Sequence, residues 1–381
     1  MAAYWLVSAP GDPKPENTWG LIKEKTGGVS VNHKFNIPDL KVGTLDTLVD
    51  LGDKLQKLDP FVENVVRKMA QYMGDILEPE DKEKLQENLL VGPAKVPMET
   101  FLTRFQWDSA KFPLRQPLPN IVEGISKLVS QVDTDLKTKS QSYNALRQNL
   151  QIIERKNTGN LMTRSLVDLV KKEDFVLDSE YLQTLIVVVP KSLYKEWENS
   201  YEKITQMVVP RSTKKVADDS EYGLYTVTVF RKVADEYKHH AREKKFIVRE
   251  FDFDAKTVQK ERDEKGKLEL QLKKQFGPLM NWLKVNFNQV FSAWVHLKAL
   301  RVFTESVLRY SLPVNFQAVI MKPHRKSQKK LTEILNGLYG HLDSNYIASE
   351  AEMLDMQGLS FGQQDYHPYV FFEIDLNLLA K

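Results

Sequence analysis

Cysteine is absent from this sequence of 381 residues. The absence excludes disulfide bonds, thiol nucleophiles and zinc or iron–sulfur centres held by cysteine. An excess of one sign of charge is also missing, because 54 Lys and Arg residues stand against 51 Asp and Glu residues and the net charge is +3. No bulk electrostatic field therefore favours nucleic acid or an anionic membrane, and charged partners have to be sought in local patches.

Long apolar runs are missing as well. No uninterrupted run reaches the roughly 18 residues that a membrane-spanning helix needs. The first residues, 1–6, lack the basic region and apolar core of a signal peptide. Together with the absence of cysteine, this pattern fits a reducing compartment. We expect a cytoplasmic protein that acts at a membrane only from outside it.

The readable motifs of catalysis and cofactor binding do not occur. A phosphate-binding loop ends in Gly-Lys-Ser/Thr, but here Gly266 and Lys267 are followed by Leu268. The patterns G-x-G-x-x-G, G-x-S-x-G and H-E-x-x-H are also absent. The sequence therefore offers no candidate catalytic residue, no cofactor-binding residue and no cofactor, and the rival that stays open is an enzyme that uses dispersed carboxylates or histidines without a readable motif.

Histidines and carboxylates offer only weak metal candidates. His239 and His240 are adjacent, and neighbours on a helix point about 100° apart, so we expect a solvated helix face and no shared metal. His296 is expected to be a packed surface group without a role in proton transfer. The carboxylates expected along a solvated helix edge are Asp46, Asp50 and Asp53. The sequence therefore predicts no metal ligand.

The strongest positive signal is a helical pattern over residues 275–313. Apolar residues recur there at steps of three and four, which is one face of a helix. The residues of this stripe are Phe276, Leu279, Leu283, Phe287, Val290, Trp294, Leu297, Leu300, Phe303 and Val307. The stripe is too apolar to face water, so we expect more than one element to cover it.

Strand signals lie near both ends of the chain. Residues 4–9 have the composition of a short buried strand. Apolar and polar residues alternate over 314–320 and 370–376, the period of a strand with one buried face. Because one strand cannot stabilise itself, we predict a single sheet built from both termini. An amphipathic helix over 45–77, broken near Asp59-Pro60, is predicted in the same domain.

A long helical pattern with a near-heptad repeat follows over residues 121–156. About 35 helical residues would extend about 50 Å, which exceeds what a compact domain of this size needs. The chain is therefore predicted to leave its first domain here. A charged segment over 256–274 leads into the aromatic helix, and we expect the two long helices to pair antiparallel as a neck.

The insert between these helices, residues 157–254, carries its own strand and helix signals. The β-branched run 185–189 is typical of a central strand. Alternation predicts two more strands, over 225–229 and around Phe251 and Phe253. Two helices are predicted between the strands, at 192–207 and 230–244. The pattern favours a small βαβαβ-like second domain. Loops of the whole chain are predicted at 92–97, 211–221 and 349–364.

The densest basic cluster is the candidate partner-binding site, formed by Lys322, Arg325, Lys326, Lys329 and Lys330. Such a cluster could meet an acidic helix, a lipid headgroup or filamentous actin. A merely solvated helix start explains it about as well.

Long strings of this sequence resemble one known family, the C subunits of the eukaryotic vacuolar-type proton ATPase (V-ATPase). The resemblance covers nearly the whole chain. The strings that carry it are YWLVSAPG near the start, KFNIPDLKVGTLDTLVDLGDKL, RFQWDSAKFP, ERKNTGNLMTRSLVDLVKKEDFVLDSEYL, AREKKFIVREFDFD, QFGPLMNWLKVNFNQVFSAWVHLKALRVFTESVLRYSLPVNFQAV and PYVFFEIDLNLL near the end.

The resemblance implies an α+β fold that is elongated and mostly helical, with two small mixed domains, head and foot, joined by a neck of long antiparallel helices. The foot would comprise residues 1–120 and 286–381. The neck helices would be 121–156 and 255–285, and the head would be 157–254.

The resemblance also implies a function. Members are non-catalytic stator subunits in the cytosolic sector of the pump, on the cytosolic face of endomembranes or the plasma membrane. Their expected partners are the peripheral stalks of the E and G subunits and the cytosolic domain of the a subunit. Their release and return accompany reversible disassembly of the pump. The alternative left open is an actin-binding cytoskeletal linker that acts outside the pump.

Overall fold

The computed structural model describes residues 3–78, 85, 89–177, 179–251, 253–342 and 367–379. The chain divides into two compact units. The terminal unit comprises Met1–Ser140 and Pro278–Lys381, and the inserted unit is Gln141–Gly277. Helices and strands occur in both units, so the α+β fold class is confirmed. The predicted boundaries of head, neck and foot stay a prediction.

The described helices and strands have the following bounds. The helices are α1 Pro15–Thr26, α2 Leu45–Ile76, α3 Met98–Thr103, α4 Leu118–Asn157, α5 Tyr194–Ser200, α6 Ala234–Glu243, α7 Ala255–Tyr310 and α8 Gln328–Tyr339. The strands are β1 Tyr4–Pro10, β2 Ser30–Lys34, β3 Leu90–Val91, β4 Val96–Pro97, β5 Leu182–Pro190, β6 Lys214–Asp218, β7 Tyr222–Phe230, β8 Ile247–Arg249, β9 Phe316–Pro323 and β10 Val370–Ile374. No helix in the described ranges is both long enough and apolar enough to cross a membrane.

The terminal unit contains a four-stranded antiparallel sheet in the order β10-β1-β9-β2. Leu6 on β1 pairs with Phe372 on one side and with Ile320 on the other. The predicted sheet built from both termini is therefore confirmed. Its edge strand β2 was not predicted, because the sequence SVNHK is mostly polar and shows no apolar alternation.

Both faces of this sheet are covered. On one face, residues of β1 and β9 pack against α1 and α8, with Trp5, Val7 and Leu331 among the buried members. On the other face, Ser8 Oγ lies 2.7 Å from Ser306 Oγ of α7. Tyr310 of α7 also donates its hydroxyl proton to the carbonyl oxygen of Ser8 at 2.7 Å. The aromatic part of α7 is thus covered, as its apolar stripe predicts.

Helix α2 is continuous, and the predicted break near Asp59-Pro60 is wrong. Pro60 lies inside the helix, where it removes one backbone hydrogen-bond donor and crowds the preceding turn. The helix continues because its packed face extends on both sides of the proline, with Leu55 and Val62 completely or almost completely buried. Tertiary packing outweighs the local cost here. Helix α7 also continues through a proline, Pro278.

The inserted unit contains a second four-stranded sheet, in the order β6-β7-β5-β8. The run 185–189 is indeed a central strand, and sheet residues are buried on both faces, which explains its continuous apolar character. The βαβαβ-like arrangement is wrong, because every pair in this sheet is antiparallel. Antiparallel pairing suits the short helices α5 and α6, which are shorter than predicted.

Two local predictions in the inserted unit also need correction. The third predicted strand lies at β8, and Phe251 and Phe253 follow it as partly buried side chains packed on the sheet. The predicted loop 211–221 contains the edge strand β6. In the terminal unit, the predicted loop 92–97 holds the turn of the β3–β4 hairpin. The loop predicted at 349–364 lies outside the described residues.

Candidate functional site

The predicted basic cluster lies where β9 ends and α8 begins. Arg325, Lys326, Lys329 and Lys330 are exposed there, and we call these four residues the basic surface. They form no ion pair with a side chain in the described ranges. Lys322 differs, because its Nζ donates to Glu99 Oε1 at 2.7 Å and lies 5.3 Å from the centre of the Tyr4 ring. Four of the five predicted residues are thus exposed, whereas Lys322 makes an internal contact.

The basic surface opposes the dipole of its own helix. The first turn of α8 contains no acidic residue, and Ser327 at its N-cap makes no capping hydrogen bond through its side chain. Cations near the positive end of a helix are unfavourable by a few tenths of a kcal/mol. An acidic group near this helix start would offset the repulsion.

A second surface lies on the inserted unit and was not predicted. Tyr181, Met207 and Phe230 are 69%, 56% and 39% exposed, and we call them the apolar patch. The backbone connects them, because Phe230 N donates to Met207 O at 3.2 Å and Arg231 N donates to Tyr181 O at 2.8 Å. Met207 holds a positive φ of 64°. Aromatic, Met and Arg side chains are enriched in the buried parts of protein interfaces.

A buried charge network lies in the terminal unit around Asp59, which is 2% exposed. Its carboxylate accepts hydrogen bonds from Trp294 Nε1 at 3.0 Å, Lys298 Nζ at 2.8 Å and Arg301 Nη1 at 2.6 Å. The Arg301 guanidinium also lies 4.2 Å from the centre of the Phe372 ring. We call these residues the Asp59 network, and they join α2, α7 and β10.

The Asp59 network stabilises the fold and offers no chemistry. A buried carboxylate needs cationic partners because an unpaired charge in the interior is expensive. Arg301 also donates to Glu305 at 3.4 Å, where burial raises the pKa of the carboxyl above its ordinary value. All three donors to Asp59 are used within the protein, so this carboxylate is not available to a substrate.

His296 is buried in the terminal unit, and the prediction of a surface position is wrong. It is 1% exposed, and its Nδ1 donates to the Ser292 carbonyl at 2.7 Å while Nε2 accepts from the Asp108 N–H at 3.0 Å. Burial lowers the pKa of the imidazole to about 4. The ring centres of Phe105, Trp107 and Phe112 lie within 5.0 Å of the centre of the imidazole ring. His296 therefore stays neutral and holds the segment around Asp108 against α7.

The histidine pair on α6 has more chemistry than the sequence indicates. One possible ligand atom from each of His239, His240 and Glu243 lies within 4.8 Å of the others. The expectation that neighbouring histidines cannot face one metal ignored Glu243, which is one turn away from both. The acidic residues Asp46, Asp50 and Asp53 are exposed on α2, and they do not converge with other possible ligands among the described residues.

Comparison with known proteins gives the family. The family model that describes the C subunit of V-ATPases matches residues 4–370. This chain belongs to the V-ATPase C subunit family.

Its relatives match it from end to end. The V-type proton ATPase C subunit 1-A of Danio rerio is 55% identical over 100% of this chain and 99% of its own length. The V-type proton ATPase C subunit of Manduca sexta is 54% identical over 100% of both chains. The V-type proton ATPase C subunit 1 of Mus musculus is 54% identical over 100% of this chain and 99% of its own length.

Proposed function

We propose that this chain is a non-catalytic stator component in the cytosolic sector of a V-type proton ATPase. The single observation that carries the proposal is the match of the C subunit family over residues 4–370. In this role the chain holds peripheral stalks stationary while other subunits hydrolyse ATP and move protons. The buried polar groups of the terminal unit are consistent with it, because Asp59 and His296 are committed to internal contacts.

The proposed partners are a peripheral stalk of the E and G subunits for the inserted unit, and a second stalk and the cytosolic domain of the a subunit for the terminal unit. For the first contact we propose the apolar patch, with Arg231 at its margin. For the second we propose the basic surface, which suits an acidic helix. Two separate contacts of moderate size provide strong attachment through avidity and still permit release.

The first experiment measures binding of the full-length chain to a purified E–G heterodimer by calorimetry. The same titration is repeated with the inserted unit, Gln141–Gly277, after circular dichroism has established that this fragment folds. We expect both proteins to bind at micromolar concentration or tighter. Failure of the full-length chain to bind either the heterodimer or the cytosolic domain of the a subunit would contradict the stator role.

The second experiment locates the contact on the inserted unit. In the full-length chain, Tyr181→Ala with Phe230→Ala is expected to weaken E–G binding roughly 30-fold, the size of one hot-spot truncation. The matched control is Ile152→Ala with Leu270→Ala, which removes exposed apolar side chains elsewhere in the same unit. Equal affinities of the two double variants would remove the apolar patch from the interface without affecting the stator role.

A further inference from the structure

The inserted unit carries a group of three metal-ligand side chains at the end of α6. His239, His240 and Glu243 each place one ligand atom within 4.8 Å of the other two. Among the residues that the structure describes, these three form the one group of at least three possible metal ligands that lie so close together. None of the three residues belongs to the apolar patch or to the basic surface.

Helix geometry explains why the three side chains meet. Glu243 follows His239 by four residues and His240 by three, and both spacings place side chains on neighbouring turns of one helix face. Helical side chains lean towards the N-terminus, so Glu243 reaches back to the turn that carries the two rings. His239 Nδ1 is already 3.6 Å from Glu243 Oε1, and the two imidazole centres are 5.8 Å apart.

The side chains are free to complete a coordination shell. His239 and Glu243 are 75% and 62% exposed, so small rotamer changes cost little packing. Nδ1 of His240 is shielded from solvent and has no hydrogen-bond partner within the described part of the chain. Around a zinc ion with bonds of about 2.0–2.1 Å, tetrahedral ligand atoms lie about 3.3 Å apart. The three atoms therefore need to approach one another by up to about 1.5 Å.

We propose that His239, His240 and Glu243 bind one Zn²⁺ ion. Two imidazoles and one carboxylate are a ligand set for zinc, copper or nickel, whereas calcium and magnesium prefer all-oxygen sites. Three protein ligands leave the fourth tetrahedral position to water. The ion would close a chelate across the last turn of α6, next to the C-terminus of that helix, where positive charge is favourable.

The test is calorimetric titration of Zn²⁺ into the full-length chain, from which any affinity tag has been removed and which has been treated with chelator. We expect one equivalent of saturable binding. His239→Ala and Glu243→Gln are each expected to weaken it roughly 10-fold or more, and His240→Ala to do the same. The matched control is His341→Ala, an exposed histidine in the terminal unit, which should bind like the unchanged chain.

A spectroscopic readout identifies the ligands. With Cu²⁺ in place of Zn²⁺, nitrogen hyperfine splitting should indicate two imidazoles in the unchanged chain and one in His239→Ala. His239 and Glu243 are exposed, so their variants are expected to fold, and circular dichroism verifies this. Absence of saturable binding at micromolar zinc, or equal affinities of the His239→Ala and His341→Ala variants, would overturn the proposal.

Discussion

The terminal and inserted units each contain a four-stranded antiparallel sheet. The two sheets differ in how far apart along the chain their paired strands lie. In the terminal unit, β1 pairs with strands more than 300 residues away, and Asp59 is held by donors on α7. In the inserted unit, the central pair β5–β7 joins Leu182 to Phe230. The terminal unit is thus locked by contacts between remote segments, whereas the inserted unit is built from neighbours.

Large apolar side chains are exposed in both units, with Leu45 and Leu312 among them in the terminal unit. In the terminal unit, the charged groups of the Asp59 network are turned inward. The inserted unit buries its sheet on both faces and still exposes Tyr181, Met207 and Phe230. We therefore expect a division between the units, in which a substitution in one unit mainly loosens that unit.

The largest effect is expected from removing one buried tryptophan in each unit. Trp294 and Trp197 are both fully buried, and each indole N–H donates a hydrogen bond, to Asp59 and to Thr213 respectively. We expect Trp294→Ala and Trp197→Ala each to lower the free energy of unfolding by roughly 3 to 5 kcal/mol because of the cavities left behind. Hydrogen exchange measured by mass spectrometry should rise mainly in the unit that carries the substitution. Equal acceleration in both units by either variant would contradict the division.

The Asp59 network should be nearly as sensitive. Asp59→Ala leaves the buried Lys298 without its carboxylate partner and Arg301 with only Glu305, and breaking a buried ion pair in this way costs about 3 to 5 kcal/mol. The cost is measured by denaturant unfolding, with hydrogen exchange used to monitor the terminal unit. The control is Asp50→Ala, an exposed carboxylate on the same helix, which should change stability by no more than about 0.5 kcal/mol. Similar results for the two variants would mean that the network contributes little.

Acid should weaken the terminal unit through His296. Its pKa is lowered to about 4 in the folded protein, whereas an unfolded histidine titrates near 6.5. Between these values the unfolded chain binds the additional proton, so stability falls as the pH decreases from about 6.5 to about 4. The contribution lost is on the order of 3 kcal/mol.

The measurement is denaturant unfolding at several pH values across that window. His296→Gln should remove this part of the pH dependence, while the exposed variant His341→Ala should keep it. An unchanged slope in His296→Gln would show that other groups determine the acid response.

The smallest effect on stability is expected at the basic surface. Lys326→Glu with Lys329→Glu and Lys330→Glu should change the free energy of unfolding by no more than about 0.5 kcal/mol, because the side chains are exposed. The same variant should bind the cytosolic domain of the a subunit about 10-fold more weakly, since charge complementarity is reversed. The control reverses three other exposed lysines of the terminal unit, Lys14, Lys23 and Lys41.

Cosedimentation with filamentous actin tests the alternative use of the basic surface. The actin linker would be favoured if the unchanged chain pellets with actin and the Lys326, Lys329 and Lys330 variant alone does not. Unchanged affinity of that variant for the cytosolic domain of the a subunit would exclude the basic surface from that contact.

The periodicity of apolar residues predicted those helices and strands in which one face is buried. The stripe on α7 and the strands β1, β9 and β10 were readable because buried residues recur at fixed steps. The edge strand β2 was not readable, since its side chains are mostly polar. Pro60 misled the prediction because a local penalty was weighed without the packing that offsets it.

The site residues were predicted less well for a related reason. The Asp59 network joins residues separated by more than 230 positions, and no spacing rule connects them. His296 was placed at the surface because a polar residue on an apolar helix suggests an edge, and its partner, the backbone N–H of Asp108, has no sequence signature. The basic surface could be predicted because its residues are close together in sequence. The apolar patch could not, because Tyr181, Met207 and Phe230 are far apart in sequence and only the folded structure shows that they are exposed.

The central position of β1 has a consequence for synthesis on the ribosome. Residues 4–10 leave the ribosome long before their two neighbours, which lie at Phe316–Pro323 and Val370–Ile374. At about 5–20 residues per second, the wait is on the order of 20 to 70 s. During that time a buried apolar strand has both edges unpaired, which is the condition for association with other chains. We therefore expect the N-terminal strand of the nascent chain to stay open to such association until β9 and β10 have been synthesised.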